Sequence, residues 1–375
     1  WIPKVGEESE RQIILNMAFD GLCDLAHALK IPPKCISLGG SLALGFGSRG
    51  RGGWHAPAAH YEPSKDTINI TRIKGAGFLA HEWAHALSYR IALASGVSQT
   101  SSIGRVERYP HHTHPTAIAM RQMMVGLTNR PLNRAEAETN LTSLRVQTPN
   151  GEDRIPFWKY SQDRLRHMVA RIDRHMPDAV RESGRFLQDS NAIIEQVISA
   201  ENWAKVDPEK LADHIAELTD MYKAGATVDH DALDESHRYL VKELQLLDGQ
   251  IKQRAQLLHD LDSTYADCEG KPAQFWPKAL VVQSNYSQAS TAVDNAQKRS
   301  KPYWSTTEEM WARFFEAHVQ RTLLNPNQLS SDYLVHSAST MVYPNQDELE
   351  YFSKVFDKLW EKHRTGLLQI SQNGG

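Results

Sequence analysis

Five consecutive residues, His81, Glu82, Trp83, Ala84 and His85, combine two metal-binding side chains with one that can move a proton. On a helix, positions i and i+4 lie on one face a turn apart, so both imidazoles can address one ion while the Glu82 carboxylate sits beside them. The flanks Phe78, Leu79, Ala80, Ala84, Ala86 and Leu87 are apolar and mark a buried helix. Two histidines and a carboxylate are costly there without a metal, although surface histidines paired with a glutamate are the bland alternative for so short a pattern. Imidazole nitrogen and carboxylate oxygen suit Zn2+, so one zinc per chain is expected, with three protein ligands and a fourth position open to water. The expected chemistry is hydrolytic: Glu82 takes a proton from the metal-activated water, then hands it to the leaving amine.

The third ligand must lie elsewhere. A histidine six residues after His85 would supply it in the metzincin pattern, but that position is Ile91, which excludes the class. The next option is a distant glutamate on a second helix, as in gluzincins. The best segment runs from Thr307 to His318 (TEEMWARFFEAH), where acids interrupt a strongly apolar helix. Glu309, Arg313 and Glu316 share a face at i, i+4 and i+7. Glu309 is the first choice as ligand, with Glu308 and Glu316 as substitutes; a helix N-terminal carboxylate favoured by the dipole is its bland reading. Tyr303, six residues earlier, is a candidate donor to the developing oxyanion, weighed evenly against an ordinary core or surface tyrosine.

Other residues carry weaker signals. His60, His111, His112 and His114 suggest a second metal site less than they suggest solvated side chains. The stretch from Gly45 to Gly53 (GFGSRGRGG) lacks the Lys-Ser/Thr ending of a phosphate-binding loop and is not followed by a helix, so a flexible loop on the substrate side is the better expectation.

These residues need elements to hold them. Periodic apolar positions predict a helix from about residue 8 to 30, ended by Pro32 and Pro33, then strands near 42–46, 59–62 and 67–71, and a helix over 78–94 introduced by Gly75 and Gly77. From Thr116 to Asp267 almost everything reads helical: Leu165, Met168, Val169, Ile172 and Met176 form a stripe, and Asp207 and Pro208 cap and open a helix. Leu233, Leu240, Leu247 and Leu261, with Leu244, Ile251 and Leu258, follow a heptad that predicts an antiparallel hairpin or coiled-coil arm, Arg254 being the exception. Asp347 with Glu350 reads as the capping box of a last helix.

At 375 residues with 41% hydrophobic and 23% charged positions, the chain can bury one large core or two smaller ones. A net charge of −3 gives no global field for nucleic acid or an anionic membrane, and no apolar run is long enough to span a bilayer. Three cysteines (Cys23, Cys35, Cys268) without paired spacing argue against a disulfide framework and against a thiolate zinc site, and fit a reducing compartment. The chain opens on Trp1 rather than Met, which suggests a fragment, a processed chain or an excised domain.

Taken together, residues 10–12 (ERQ), 42–50 (LALGFGSRG), 59–63 (AHYEP), 68–71 (INIT), 75–85 (GAGFLAHEWAH), 303–306 (YWST), 309–317 (EMWARFFEA), 331–335 (SDYLV) and Tyr343 with Pro344 resemble the zincin-like metallopeptidase domain associated with large polyvalent proteins of phages and conjugative elements. The resemblance implies a zinc peptidase-like fold encoded by a mobile element, delivered with DNA or acting on host factors; it supplies no substrate. Its motifs leave the middle of the chain uncovered, implying a helical insertion between the first two ligands and the third. The assignment of Glu309 follows similarity to gluzincins that pair such a glutamate with a preceding tyrosine.

The resulting expectation is an α+β protein with a zincin-like metallopeptidase core and a large, mostly α-helical insertion. Residues 1–115 carry the HExxH helix, 116–267 the insertion or arm, and 268–375 the third-ligand helix. His81, His85 and Glu309 hold zinc, Glu82 and Tyr303 act on the substrate, and the strand near 59–62 or 42–46 accepts an extended peptide along its edge. The expected activity is that of a gluzincin-like metalloendopeptidase in the cytoplasm of a bacterial host, delivered by a phage or element, with a protein or peptide substrate and a partner protein on the arm. Two rivals stand beside it: a non-catalytic interaction module with a structural zinc, and a zinc hydrolase of a non-peptide amide or ester.

Overall fold

The computed structural model describes residues 7–46, 58–71, 75–95, 102–103, 115–143, 145–147, 154–199, 206–298, 300–324, 331–335 and 341–373. His111, His112, His114 and the glycine-rich stretch after Phe46 lie outside them. The described chain is mostly helical with a few short strands, an α+β organisation in the broad sense. It divides into two compact units, Trp1–Pro131 with Cys268–Gly375, and Leu132–Asp267. No described helix is long and apolar enough to cross a membrane.

In chain order, α1 (Glu7–Ala28), β1 (Ala43–Phe46), β2 (Ala59–Glu62), β3 (Thr67–Ile70), α2 (Leu79–Ala94), α3 (Pro115–Gly126) and β4 (Asn129–Pro131) open the first unit. The second follows with α4 (Arg134–Ser143), β5 (Arg145–Gln147), β6 (Arg154–Pro156), α5 (Phe157–Asp173), α6 (Asp178–Ser183), α7 (Arg185–Val197), α8 (Pro208–Lys223) and α9 (His230–His259). After α10 (Leu261–Cys268), the first unit resumes with β7 (Val281–Gln283), α11 (Asn285–Ala296), α12 (Thr307–His318) and α13 (Gln346–Asn373).

The first unit is built around α2. Its residues from Leu79 to Ser88 are all buried, so apolar side chains on every face find partners. Two tryptophans anchor it with their ring N–H groups: Trp83 donates to the Ile36 carbonyl at 2.9 Å, and Trp311 of α12 donates to the Ala84 carbonyl at 3.0 Å. The free N–H groups at its start are met by the segment 331–335, since Gly77 and Ala80 donate to the carbonyls of Tyr333 and Leu334. Near its other end, Arg90 donates to the Leu38 carbonyl and lies 3.4 Å from Asp66.

Beside α2 stands a three-stranded sheet in the order β1-β3-β2, with β3 buried along its length. β1 runs parallel to β3, pairing Ala43 with Thr67, and β2 runs antiparallel, pairing Ala59 with Ile70. Gly75 must be glycine where the chain turns toward α2, because an added Cβ would meet Ile70 Cγ2 at 2.2 Å and the Thr71 carbonyl at 2.6 Å. Across the unit, β4 pairs antiparallel with β7, Asn129 opposite Gln283. The last helix is capped differently from the expected Asp347 and Glu350 pair. Asn345 Oδ1 accepts from the Glu348 N–H, while the Glu348 carboxylate reaches the N–H groups of Asn285 and Tyr286 at the start of α11.

The second unit has its own core of Leu165, Val169, Ile172, Phe186, Ile194, Leu211, Ile215, Leu233, Leu240, Leu244 and Leu247, drawn from α5, α7, α8 and α9. The heptad leucines therefore line a helix bundle. All but Leu261, which opens α10, lie on one continuous 30-residue helix, and the repeat from Leu233 to Leu247 serves packing against α5 and α8. Asp207 caps α8, accepting from the N–H groups of Glu209 and Lys210.

One core residue of the first unit carries a pH dependence. His318 is fully buried between the rings of Phe314 and Phe356, with Nδ1 2.9 Å from Ser353 Oγ, and burial pushes its pKa down to about 3. The unfolded chain then binds a proton that the folded chain refuses. Stability from this group is complete above its ordinary value near 6.5 and falls as pH drops from there toward 3, at about 1.4 kcal/mol per pH unit. Urea midpoints taken from pH 7 to 4 are expected to fall less steeply in His318→Gln than in wild type; equal slopes would exclude His318 as the cause.

Candidate metal centre

The site forms where α2 packs against α12, an interface cemented by Trp83 stacked on Phe315 with centroids 5.6 Å apart. From α2 come His81 and His85, each 9% exposed, and Glu82, 5% exposed. From α12 comes Glu309. The Nε2 atoms of His81 and His85 lie 3.2 Å apart. Glu309 Oε2 is 3.5 Å from His81 Nε2, and Glu309 Oε1 is 3.5 Å from His85 Nε2. One ligand atom from each of the three residues falls within 4.8 Å of the others, the sole such group among the described residues.

The donor set fits zinc. Two ligand atoms at 2.0–2.1 Å from a tetrahedral ion stand about 3.3–3.4 Å from each other, which is the spacing seen here. Nitrogen, nitrogen and carboxylate oxygen are also the atoms zinc prefers, and three of them leave one position open.

The charges around the site point the same way. Burial opposes a cation on His81, but hydrogen bonds to Glu309 and Glu316 outweigh it and carry its pKa up to about 10. The same negative field would favour a metal cation, which must displace the proton from Nε2 to bind. Burial works against the Glu309 carboxylate too, yet His81 and His85 bring its pKa down to about 2. Glu82 differs: burial pushes it up to about 7, with the His81 cation opposing and the Glu309 charge adding to the rise. The backbone N–H of Tyr61 in β2 donates to its carboxylate. A carboxyl group near neutrality, beside a cation site, is suited to taking and returning protons at physiological pH.

The two substitute ligands are engaged otherwise. Glu308 is buried and accepts from Ser102 Oγ at 3.2 Å. Glu316, 1% exposed, faces the opposite edge of the His81 ring, its Oε2 lying 3.3 Å from Nδ1 and 2.8 Å from the Tyr343 hydroxyl that donates to it. Tyr303 is 39% exposed, and its hydroxyl is hydrogen-bonded to the Glu309 side chain. Burial and then Glu309 raise its pKa, so it remains a neutral phenol able to donate. His60 sits partly exposed in β2, outside the cluster.

Two residues without an expected role frame this arrangement. Arg313, 2% exposed, donates to the carbonyls of Trp304, Glu309 and Val342 and lies over the rings of Tyr286 and Trp304. Asp294 accepts from the N–H groups of Tyr303, Trp304 and Ser305 and from Ser305 Oγ; burial disfavours its charge, but these bonds bring its pKa down to about 2. Together they fix the turn that carries Tyr303. Arg313 stands on the Glu309 face in sequence, the one signal that could have marked it.

A site of two imidazoles and a carboxylate, with a second carboxyl group at hand, defines a candidate mononuclear metal centre. Residues 295–367, which include Tyr303, Glu309, Arg313, Glu316 and Tyr343, match the family model of large polyvalent protein-associated domain 1, and this associates the chain with large polyvalent proteins. Searches of the curated proteins and of the solved structures found no match.

Proposed function

We propose that this protein is a zinc-dependent metallopeptidase with a zincin-like core, encoded by a phage or other mobile element and acting in the cytoplasm of a bacterial host. The observation that carries the reading is the convergence of His81, His85 and Glu309 with Glu82 beside them on the same buried helix. His81, His85 and Glu309 would hold one zinc ion. When bound, zinc supplies Lewis acidity, polarising the scissile carbonyl and acidifying water.

The chain's own groups account for the rest. Glu82, held near neutrality, accepts the proton of the attacking water and returns it to the departing amine. Tyr303 offers a hydroxyl on the exposed side of Glu309 to the oxygen that gains charge. β2 is an edge strand whose Tyr61 N–H already reaches Glu82, so a peptide added along that edge would lie beside the proton carrier.

Elemental analysis tests the reading. Wild-type protein purified without added zinc is expected to contain about one zinc per chain. His81→Ala and Glu309→Gln are expected to lose it, and Glu82→Gln to keep it. Wild type that stays metal-free when zinc is supplied would overturn the proposal.

A further inference from the structure

We propose that Tyr343 and Glu316 act as a pair that fixes the tautomer and orientation of His81, and so sets the metal affinity of the centre. The inference rests on the zinc reading above. Glu316 Oε2 receives two groups at once, His81 Nδ1 at 3.3 Å and the Tyr343 hydroxyl at 2.8 Å. A carboxylate accepts and does not donate, so a metal-bound His81 would keep its ring hydrogen on Nδ1, and the Nε2 proton that faces Glu309 is the one an ion would displace. The opposite tautomer would set a hydrogen where the ion must sit.

Tyr343 supplies what a lone buried carboxylate lacks. Glu316 is 1% exposed, and a carboxylate so deep needs donors to stay in place. Burial and the neighbouring Glu316 charge raise the pKa of Tyr343, so it keeps its proton and donates throughout the physiological range. Tyr343 precedes α13, which makes His81 orientation depend on a segment distant from α2. Both are positioning residues, acting through the histidine.

The test is zinc affinity by competition with a chromophoric chelator on the full chain, for wild type, Tyr343→Phe, Glu316→Gln and the double variant. Cobalt(II) absorption is recorded on the same four proteins. Losing the carboxylate behind a ligating histidine is expected to weaken zinc about 10–100-fold. Tyr343→Phe is expected to weaken it several-fold and to shift the cobalt spectrum, while adding nothing in the Glu316→Gln background, because the hydroxyl works through that carboxylate. Affinity and spectrum unchanged in Tyr343→Phe would overturn the inference, as would losses that multiply in the double variant. Tyr343→Phe removes one oxygen only and decides the matter alone where Glu316→Gln does not fold. Wild type that takes up no zinc overturns both this inference and the zinc reading; wild type that binds while Tyr343→Phe matches it overturns this inference alone.

Discussion

On the zinc-peptidase reading proposed above, a Glu82→Gln protein is expected to retain zinc and to lose peptide hydrolysis by roughly 10²–10⁴-fold, the range associated with a positioned general acid-base group. The substitution preserves the shape of the side chain and an oxygen able to accept from the Tyr61 N–H. It removes the one property the proposed reaction needs, a group that takes a proton near pH 7. Burial produces that property, since Glu82 is 5% exposed and its carboxyl is pushed up to about 7. Turnover of a fluorogenic peptide library by wild type and variant, with zinc content measured alongside, is the check. Equal turnover at equal metal content would remove Glu82 from the mechanism. A fall that tracks lost metal would make it a structural residue.

Arg313→Met is expected to cost on the order of 3–5 kcal/mol of folding stability, the second large effect. Methionine is of similar length but leaves the carbonyls of Trp304 and Val342 without their donor, while the Glu309 carbonyl keeps only its helical N–H partner. Each such group costs about 1–3 kcal/mol when stranded from water. The damage should be local as well as global, because the two stranded carbonyls belong to the Tyr303 turn and to the segment leading to Tyr343. Urea unfolding of the metal-free protein gives the number, and a loss below about 1 kcal/mol would mean that water reaches these carbonyls.

Much of the helical layout is legible in the sequence. The apolar flanks of His81 and His85 leave no solvent face, and the helix from Leu79 to Ala94 is buried accordingly. Alternating residues around Pro63 to Asp66 suffice to mark β2 and β3. The pairing of β4 with β7 was invisible, because three-residue strands have no period to read and their partners lie on either side of the second unit. The leucine heptad marks the buried face but does not tell one helix of a bundle from one arm of a hairpin, since both need the same stripe. At the candidate metal centre, Glu309 stands out as an acid in an apolar run. The work of Glu316 does not, because its contact with His81 spans 235 positions, and nothing local separates a carboxylate that binds an ion from one that steers a ligand. Asp294 is hidden for the same reason, as its value lies in three N–H groups nine to eleven positions away.

The order of synthesis adds a constraint of time. Glu309 follows His85 by 309 − 85 = 224 residues, and the whole of the second unit, Leu132–Asp267, lies in that interval. At ribosomal rates of about 5–20 residues per second, roughly 10–45 seconds pass between the appearance of His85 and that of Glu309. The second unit is one continuous stretch with its own core and can fold on the ribosome in that interval. The first unit cannot, because α2 without α12 exposes Trp83, Ala84 and the site itself. A nascent chain therefore carries α2 with an incomplete candidate centre until α12 has been synthesised and can pack against it.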